Sequence, residues 1–429
     1  MPVFFRFLFP VLSLFFLSAH PDPRSGPDSG ILSGFLDKAA SSLGRDKQKW
    51  ITNSQLRVIY VQVDRYKGNV PTLTYHQFGY DGKEYFSPAS LVKLPVSLLA
   101  LERINRLRRE SAPWLRRDSR LEIISAGECQ VTISEDSNAV EGYPNIAQYI
   151  RRILTVSDNP SYNRVFDFLG QQVIRDELNR KGYGNARITT RFSDCSPYQN
   201  RFAPYFRFYD VDLSNILHQP ASFNPDSSWI YMPGRTSGNA YMEGGKIIRK
   251  PKDFGWSNEV SLLDELDMLI RFVLPETRAK HQQWDLSPDD RAFLFRYLST
   301  APNQSGLLEY ADTTRFPKFL KKYFLRNASS DHQQNDSLKV FNIVGLAYGF
   351  VSDVSYVVDL RTRTEFFLAT TMVANQNGVI GDGRYDYETE AFPLYGKLFD
   401  LVFEYERNRK RGYVSDFREI REALAQPMK

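Results

Sequence analysis

Segments with strand character lie near both ends of this 429-residue chain, and a long stretch without them separates the two groups. Near the N terminus, Leu56 to Val63 is rich in β-branched residues and Thr72 to Phe78 alternates between apolar and polar residues, as in a hairpin. Near the C terminus, strand patterns return in Lys339 to Gly345, extending through Val354 to Asp359, and in Thr364 to Ala374. Because strands need partners in a sheet, we expect the two ends to meet. The pattern predicts an α+β fold with one antiparallel sheet of about five strands.

Helical patterns flank and separate the predicted strands. Helices are predicted over Ile31 to about Trp50 before the sheet and over Phe392 to Tyr405 after it. The middle, Arg103 to Tyr323, is predicted to be mainly helical, with helices over Ser261 to Leu274 and after Ser287. We therefore divide the chain into a sheet subdomain over 31–102 and 335–425 and a helical subdomain over 103–334.

Composition and charge exclude several classes of protein. Hydrophobic residues make up 42% and charged residues 24% of the chain, which is typical of a globular protein and excludes disordered, collagen-like and coiled-coil chains. The net charge of +5 is too dilute over this length to indicate a nucleic-acid partner. The five histidines are scattered singly and match no metal-binding spacing, so we expect neither a metal nor another cofactor. We also expect a monomer.

The first thirty residues predict export. Arg6 is followed by a mostly apolar run from Phe7 to Leu17 and by small residues at 18 and 19, which is the pattern of a secretory signal peptide over 1–19. The run is shorter than the roughly 20 residues that cross a bilayer, so we expect membrane attachment only through an uncleaved signal. Residues 20–30, rich in Pro, Asp, Ser and Gly, predict a linker. We expect a periplasmic or other extracytoplasmic location.

Export leaves two states open for Cys129 and Cys195. The number and spacing of the cysteines match neither a zinc cluster nor a scaffold with several disulfides. An oxidising compartment permits a single disulfide between them, and the sequence equally permits two unpaired, buried thiols.

Ser90 and Lys93 form a serine–lysine pair at the start of a predicted helix from Leu91 to Ile104. Residues three apart share a helix face, and a lysine among apolar neighbours is desolvated, which favours its neutral amine. A neutral amine can take the proton of the serine hydroxyl and make the oxygen nucleophilic. The alternative is an ordinary helix start whose lysine extends to solvent.

The tripeptide Ser157-Asp158-Asn159 precedes a helical stretch from Ser161 to Leu169. It is rare by chance, although taken alone it also fits a helix N-cap. Gly345 follows in one of the late strands. In this order, the helix-borne Ser-x-x-Lys, the Ser-Asp-Asn and the strand glycine resemble the serine β-lactamase and penicillin-binding protein superfamily. The resemblance is greatest to class A β-lactamases and to the exported serine hydrolases related to them.

The resemblance implies a β-lactamase/transpeptidase-like fold and a role for each matching residue. Ser90 would be acylated by an amide carbonyl, and Lys93 would help to activate it. Ser157 would relay a proton to the departing nitrogen, and Asn159 would hold Lys93 and the substrate amide. The backbone N–H groups of Ser90 and of Leu346, beside the strand glycine, would form the oxyanion hole.

The chain departs from the superfamily pattern at three places. Ile343 and Val344 stand where a lysine and a serine or threonine are expected, so the groups that hold a substrate carboxylate are missing. The stretch from Arg187 to Gln199 contains no glutamate to activate a deacylating water; its one acid, Asp194, is either a substitute or a solvated loop residue. Without such a base an acyl-enzyme would turn over slowly. A wide spacing between the second and third motifs implies an insertion of several helices, over about 220–323.

These observations predict an exported serine hydrolase that forms an acyl-enzyme with β-lactams or D-Ala-D-Ala-type peptides and hydrolyses the amide, as in β-lactam catabolism. The expected partner is therefore a β-lactam or a peptidoglycan peptide. Two alternatives stay open: a catalytically impaired relative that acts as a cell-envelope binding protein, and a D-Ala-D-Ala carboxypeptidase or transpeptidase-like enzyme. The missing lysine and glutamate favour the first alternative, whereas the intact Ser90, Lys93, Ser157 and Asn159 favour an enzyme.

Overall fold

The computed structural model describes residues 28–80 and 85–426. The predicted signal peptide, 1–19, and most of the predicted linker, 20–30, lie outside the described residues. Of the helices within the described ranges, none has both the length and the apolar character needed to cross a bilayer.

The described residues form both helices and strands, which occur in groups along the chain. The helices are α1 (Gly30–Ser42), α2 (Lys47–Ser54), α3 (Lys93–Glu110), α4 (Ile146–Val156), α5 (Asn159–Leu169), α6 (Gln171–Arg180), α7 (Leu262–Val273), α8 (Pro288–Ser299), α9 (Tyr323–Arg326), α10 (Ser330–Gln333), α11 (Phe392–Asn408) and α12 (Arg418–Ala425). The strands are β1 (Arg57–Tyr66), β2 (Val70–Phe78), β3 (Leu121–Ile124), β4 (Phe202–Ala203), β5 (Tyr205–Tyr209), β6 (Ile216–Gln219), β7 (Ser222–Phe223), β8 (Thr236–Ser237), β9 (Ala240–Glu243), β10 (Lys246–Ile248), β11 (Lys252–Asp253), β12 (Leu338–Ala347), β13 (Phe350–Asp359), β14 (Thr364–Val373) and β15 (Val379–Ile380).

Five long strands form the main sheet in the order β12-β13-β14-β1-β2, and every neighbouring pair is antiparallel. The N-terminal β1 pairs with the C-terminal β14, for example through Ile59 and Ala369. The two ends of the chain therefore meet in one sheet, and the predicted α+β fold is confirmed. β13 is buried along its whole length, as expected for a strand that helices cover on both faces.

Two hydrophobic cores lie on opposite faces of this sheet. On one face, α1 and α11 contribute Leu32 and Phe399, which share a core with Phe366 of β14. The other core includes α3, α7 and α8, and the ring of Phe295 on α8 lies 5.3 Å from that of Phe341 on β12. Because successive strand residues point to opposite faces, neighbouring side chains of β12 enter different cores.

Most predicted elements are present, with changes of boundary. The helix predicted over Ile31 to Trp50 is instead two helices, α1 and α2, because the chain turns at Gly44, whose φ of +63° favours glycine. The late strand pattern is two strands, β12 and β13, joined by the tight turn Tyr348-Gly349. The predicted boundary between subdomains at residue 102 falls inside α3, which continues to Glu110.

The expectation of helices over about 220–323 is wrong for the first part of that range. The chain from 202 to 253 forms the short strands β4 to β11, because its frequent prolines and glycines interrupt helical structure. Helices return with α7 and α8, whose predicted starts are confirmed: the hydroxyls of Ser261 and Ser287 each accept a backbone N–H of the first turn. Between α8 and β12 the chain contains only short helical turns.

Candidate active site

The turn that carries Ser90 lies at the N-terminal end of α3. Residues Ala89–Val92 form a 3₁₀ turn, and α3 continues from Lys93. Ala89 has φ +45°, a conformation that alanine rarely adopts and that costs about 1 kcal/mol or more. Ser90 is partly exposed, whereas Leu91 is fully buried. The turn therefore holds Ser90 at the surface while its neighbours anchor it in the core.

Lys93 is completely buried, and its ammonium joins two of the predicted site residues. It donates hydrogen bonds to the backbone carbonyl of Ser157, to Ser157 Oγ at 3.0 Å and to Asn159 Oδ1 at 2.7 Å. Burial, assisted by the charge of Lys321 and opposed by the Asp158 carboxylate, lowers the pKa of Lys93 to about 7. At neutral pH about half of these amines are uncharged and able to accept a proton.

The Ser-Asp-Asn tripeptide joins α4 to α5. Ser157, at the end of α4, adopts a left-handed conformation with φ +62° and ψ +40°. Asp158 caps α5, and its carboxylate accepts the N–H of Ser161 at 2.7 Å. The N-cap alternative is therefore right for Asp158, yet the side chains on either side of it both contact Lys93. The structure thus brings this tripeptide to the predicted lysine.

Gly345 on β12 packs directly against the Ser90 turn. A Cβ atom at this position would lie 2.4 Å from the carbonyl oxygen of Pro88 and 3.4 Å from Leu91 Cγ. Because 2.4 Å is far inside contact distance, only glycine allows the strand to approach the turn this closely. The strand glycine of the sequence motif is therefore placed beside the segment that carries the predicted nucleophile.

The backbone of Leu346 faces the open edge of the sheet. β12 is an edge strand, and its hairpin with β13 closes through Tyr348-Gly349, both of which have positive φ. In an antiparallel pair of strands, residues that hydrogen-bond to the partner strand alternate with residues whose N–H and C=O groups point away from it. In β12 the even-numbered residues are of the second kind, so their backbone groups point away from β13. The Val340 carbonyl accordingly accepts a hydrogen bond from Lys322 Nζ at 2.7 Å, from outside the sheet. The Leu346 N–H thus points outward beside the strand glycine, as an oxyanion donor requires.

Ile343 and Val344 do not restore the missing substrate-holding groups. Ile343 is fully buried in the core that includes α3, and Val344 is 2% exposed in the core on the opposite face. Neither side chain offers an ammonium or a hydroxyl to a substrate carboxylate. The departure from the superfamily pattern is therefore real in the folded protein.

Lys321, in the segment before α9, is a buried lysine that no sequence motif indicated. Its Nζ atom is buried and has no hydrogen-bond partner among the described residues. Burial lowers the pKa of Lys321 to about 7. The Asn342 side chain of β12 donates a hydrogen bond to the backbone carbonyl of Lys321 at 2.7 Å, which places Lys321 beside the edge strand. Its one sequence signal, the pair Lys321-Lys322 ahead of an aromatic run, is too common to single out.

The loop from Arg187 to Gln199 covers Lys93 with an aromatic ring. The ring centroid of Phe192 lies 4.9 Å from Lys93 Nζ, and the Phe192 N–H donates to Asn163 Oδ1 at 2.7 Å. Asp194 is exposed, so the solvated alternative is the right one for that residue. Phe192 could not be identified from the sequence, because a lone aromatic residue belongs to no motif.

An ion pair and a disulfide also hold this loop in place. Arg191 Nε donates to Asp167 Oδ1 at 2.8 Å in a buried ion pair. Burial raises the pKa of Asp167 to about 6, although the charge of Arg191 opposes the shift. Cys129 and Cys195 form a disulfide, so the bridged state is the one present. The disulfide joins the loop to the segment that follows β3.

The fold and these contacts define a class of protein: a β-lactamase/transpeptidase-like fold with its serine–lysine pair, Ser-Asp-Asn tripeptide and strand glycine gathered at one edge of the sheet. Residues 59–207 match the model of the β-lactamase enzyme family. The matched part contains Ser90, Lys93, Ser157 and Asn159. The superfamily resemblance predicted from the motifs is therefore confirmed.

Similar solved structures share little sequence with this chain. A β-lactamase from Sphaerobacter thermophilus DSM 20745 is 11% identical, with a TM-score of 0.47, over 90% of this chain and 100% of that chain. A class A β-lactamase from Clostridium kluyveri DSM 555 is 12% identical, with a TM-score of 0.42, over 86% of this chain and 98% of that chain. A structure of PBP-A is 13% identical, with a TM-score of 0.42, over 88% of this chain and 97% of that chain. Among curated proteins, none matches this chain at a significant level.

Proposed function

We propose that this protein is a serine hydrolase that forms an acyl-enzyme at Ser90 with β-lactams or D-Ala-D-Ala-type peptides. The observation that carries the proposal is the buried amine of Lys93, one helical turn from Ser90 and hydrogen-bonded to Ser157 and Asn159. Burying a lysine costs free energy of desolvation, and a general base is a use for the lowered pKa that results. The family match over 59–207 supports the same class of chemistry.

In the proposed reaction, the neutral Lys93 amine takes the proton of Ser90 Oγ while that oxygen attacks the carbonyl carbon. The carbonyl oxygen becomes negative and accepts hydrogen bonds from the N–H groups of Ser90 and Leu346. The carbon–nitrogen bond then breaks. The proton on Lys93 passes to the departing nitrogen through the hydroxyl of Ser157, 3.0 Å from the amine. The product is an ester at Ser90; the amine leaves when the substrate is a peptide and stays attached to the acyl group when a β-lactam ring is opened.

The position of Phe192 favours slow hydrolysis of the ester at Ser90. Its ring faces the Lys93 ammonium, and the described loop from 187 to 199 brings no carboxylate there. Activation of the hydrolytic water would then depend on Lys93 alone, and the ester would persist. This supports, as a second candidate function, a penicillin-binding activity of the carboxypeptidase or transpeptidase type in place of rapid β-lactam hydrolysis.

The test is to incubate the protein with a fluorescent penicillin and to follow the intact mass of wild type and Ser90→Ala. We expect an adduct on wild type and none on the variant. Release of hydrolysed penicillin would favour the β-lactamase reaction, and a lasting adduct the penicillin-binding one. A wild type that neither forms an adduct nor releases hydrolysed penicillin would contradict both candidates and would favour a non-catalytic envelope binding protein.

We also propose that the protein acts outside the cytoplasm. The disulfide between Cys129 and Cys195 supports this location, because such bonds persist mainly in oxidising compartments. N-terminal sequencing of the protein from fractionated producing cells tests the proposal. We expect a chain shortened by about the predicted signal peptide in an extracytoplasmic fraction; a full-length chain in the cytoplasm would contradict it.

A further inference from the structure

A cavity of about 710 Å³ lies where the turn between α1 and α2 meets the end of β14. Its volume falls within the range of roughly 300–1,000 Å³ that small-molecule sites occupy. Met372, which lines the cavity, belongs to the core shared with α1 and α11, whereas Leu91 of the Ser90 turn belongs to the core that includes α3. Because these cores lie on opposite faces of the main sheet, the cavity is separate from the candidate active site.

Uncharged polar side chains make up much of the cavity lining. They are the amides and the hydroxyl of Asn53, Asn239, Asn375, Gln376 and Ser54. Among the charged lining residues, Arg45 Nη2 lies 2.6 Å from Glu390 Oε1, so these two charges offset each other. The third, Asp46, is exposed just before α2. An anionic ligand would therefore meet no unpaired positive charge among the described lining residues.

The polar walls of the cavity are held in place by contacts outside it. The Gln376 side chain donates to Glu390 Oε1 at 3.1 Å, and the Gln376 N–H donates to Asp386 Oδ2 at 2.7 Å. Asn239 packs against Gly378, where a Cβ atom would lie 2.8 Å from Asn239 Nδ2. These contacts fix the lining before a ligand arrives, which lowers the entropy that is lost on binding.

Three polar atoms of this lining are buried and have no hydrogen-bond partner within the described part of the chain: Trp50 Nε1, Ser54 Oγ and Asn375 Oδ1. Ser54 as a whole is only 5% exposed. The Asn375 Nδ2 atom donates to the Val379 carbonyl at 3.5 Å, which leaves the amide oxygen as the acceptor. Buried polar atoms are nearly always paired, so three in one cavity indicate a ligand that pairs with them.

The kinds of atom that are unpaired restrict the chemistry of the ligand. The indole N–H of Trp50 needs an acceptor, the Asn375 oxygen needs a donor, and the Ser54 hydroxyl can pair with either. A carboxylate or phosphate ester lacks the donor, and an ammonium ion lacks the acceptor. The hydroxyl groups of a sugar supply both at once.

Trp50 adds an aromatic surface to this set of hydrogen-bonding groups. Its side chain packs against the core shared with α1 and α11 and also lines the cavity. A fixed indole offers an apolar face together with a polar N–H, which suits a ring that has C–H groups on its faces and hydroxyls at its edge. We propose that this cavity binds an uncharged saccharide unit through Trp50, Ser54 and Asn375.

The experiment titrates the protein with the tetramers of N-acetylglucosamine and of glucose in a calorimeter. We expect at least one tetramer to bind, and Ser54→Ala to raise its dissociation constant about three- to tenfold, as the loss of one hydrogen bond does. Trp50→Phe, which keeps a ring but lacks the N–H, should have a similar effect. The free energy of unfolding of Ser54→Ala in urea should stay the same or increase, because the hydroxyl it removes has no protein partner to lose.

Thr370→Val is the matched control, since Thr370 on β14 also has a buried hydroxyl without a partner among the described residues but is not part of the cavity lining. Its affinity for the tetramer should equal that of wild type. Ser90→Ala should also bind like wild type, so the cavity proposal and the proposed function can fail separately.

Three results would overturn the saccharide site. The first is a wild type that binds neither tetramer. The second is an unchanged dissociation constant in both Ser54→Ala and Trp50→Phe, or an equal loss of affinity in Thr370→Val. The third is binding of the neutral peptide N-acetyl-trialanine amide in place of both sugars, which would assign the cavity to a peptide.

Discussion

Two regions meet at the candidate site, and they differ in how closely each follows the superfamily pattern. The helical side keeps every expected group, namely Ser90, Lys93, Ser157 and Asn159. The strand and loop side keeps Gly345, but Ile343 stands where a lysine is expected, and the loop from 187 to 199, which carries Phe192, contains no glutamate. Activating an oxygen requires particular atoms at particular distances, whereas holding a substrate requires only a complementary surface. The second region can therefore change its chemistry while the first cannot.

The largest effect is expected from a change on the helical side. Lys93→Met replaces the buried amine by an apolar chain of similar length and should slow acylation by penicillin about 10²- to 10⁴-fold, because the general base is lost. The free energy of unfolding, measured in urea, should stay the same or increase, since a buried amine no longer has to be desolvated. Acylation at the wild-type rate would show that this region does not supply the base.

On the strand side, the approach of Gly345 to the Ser90 turn can be tested with a single methyl group. Gly345→Ala should destabilise the protein by about 1–3 kcal/mol and lower the acylation rate at least tenfold, because the new Cβ meets the Pro88 carbonyl and displaces the oxyanion donor. Gly412→Ala is the control, since a Cβ there meets nothing within 4 Å. Equal effects of the two substitutions in urea unfolding and acylation would contradict the close contact.

The pH dependence of acylation reports on the amine of the helical side. Because the neutral form of Lys93 is the base and its pKa is lowered to about 7, the rate should rise about tenfold per pH unit below 7 and level off above it. The folded-state pKa lies below the ordinary value of 10.5, so the unfolded chain binds more protons between these values. Stability should therefore increase with pH from about 7 to 10.5 as far as this group is concerned. A rate that is constant from pH 5 to 9 would contradict the assignment.

The smallest predicted effect links the two regions. Lys321→Met removes a positive charge that lowers the pKa of Lys93, so the midpoint of the acylation profile should move to higher pH by less than about one unit. Lys321→Arg retains a charge and should leave the midpoint at or below its wild-type position. A downward shift in Lys321→Met would show that the charge does not act on Lys93.

Much of the fold could be predicted because it follows from local patterns. The five strands alternate or carry β-branched runs, and Ser261 and Ser287 are ordinary helix caps. The chain from 202 to 253 could not be predicted in the same way, because its strands are two to five residues long and are stabilised by partners from distant segments, as when β5 pairs with β3.

The candidate site likewise contains residues that the sequence predicts and residues that it does not. Ser90, Lys93, Ser157 and Asn159 could be found because short motifs mark them, and the structure brings the lysine to the tripeptide. Phe192 and Lys321 belong to no motif and reach the site from segments far away in sequence. Both residues act on Lys93 through tertiary proximity, which the sequence alone does not show.

By itself, the sequence determined the sheet formed from both chain ends, the serine and lysine on one helix face, and the absence of a lysine at position 343. These follow from spacing and residue type, which act over a few residues. Only the tertiary structure decided that Cys129 and Cys195 are bonded and that Phe192 covers the amine. These depend on long-range packing, where burial and contact between remote segments override local preference.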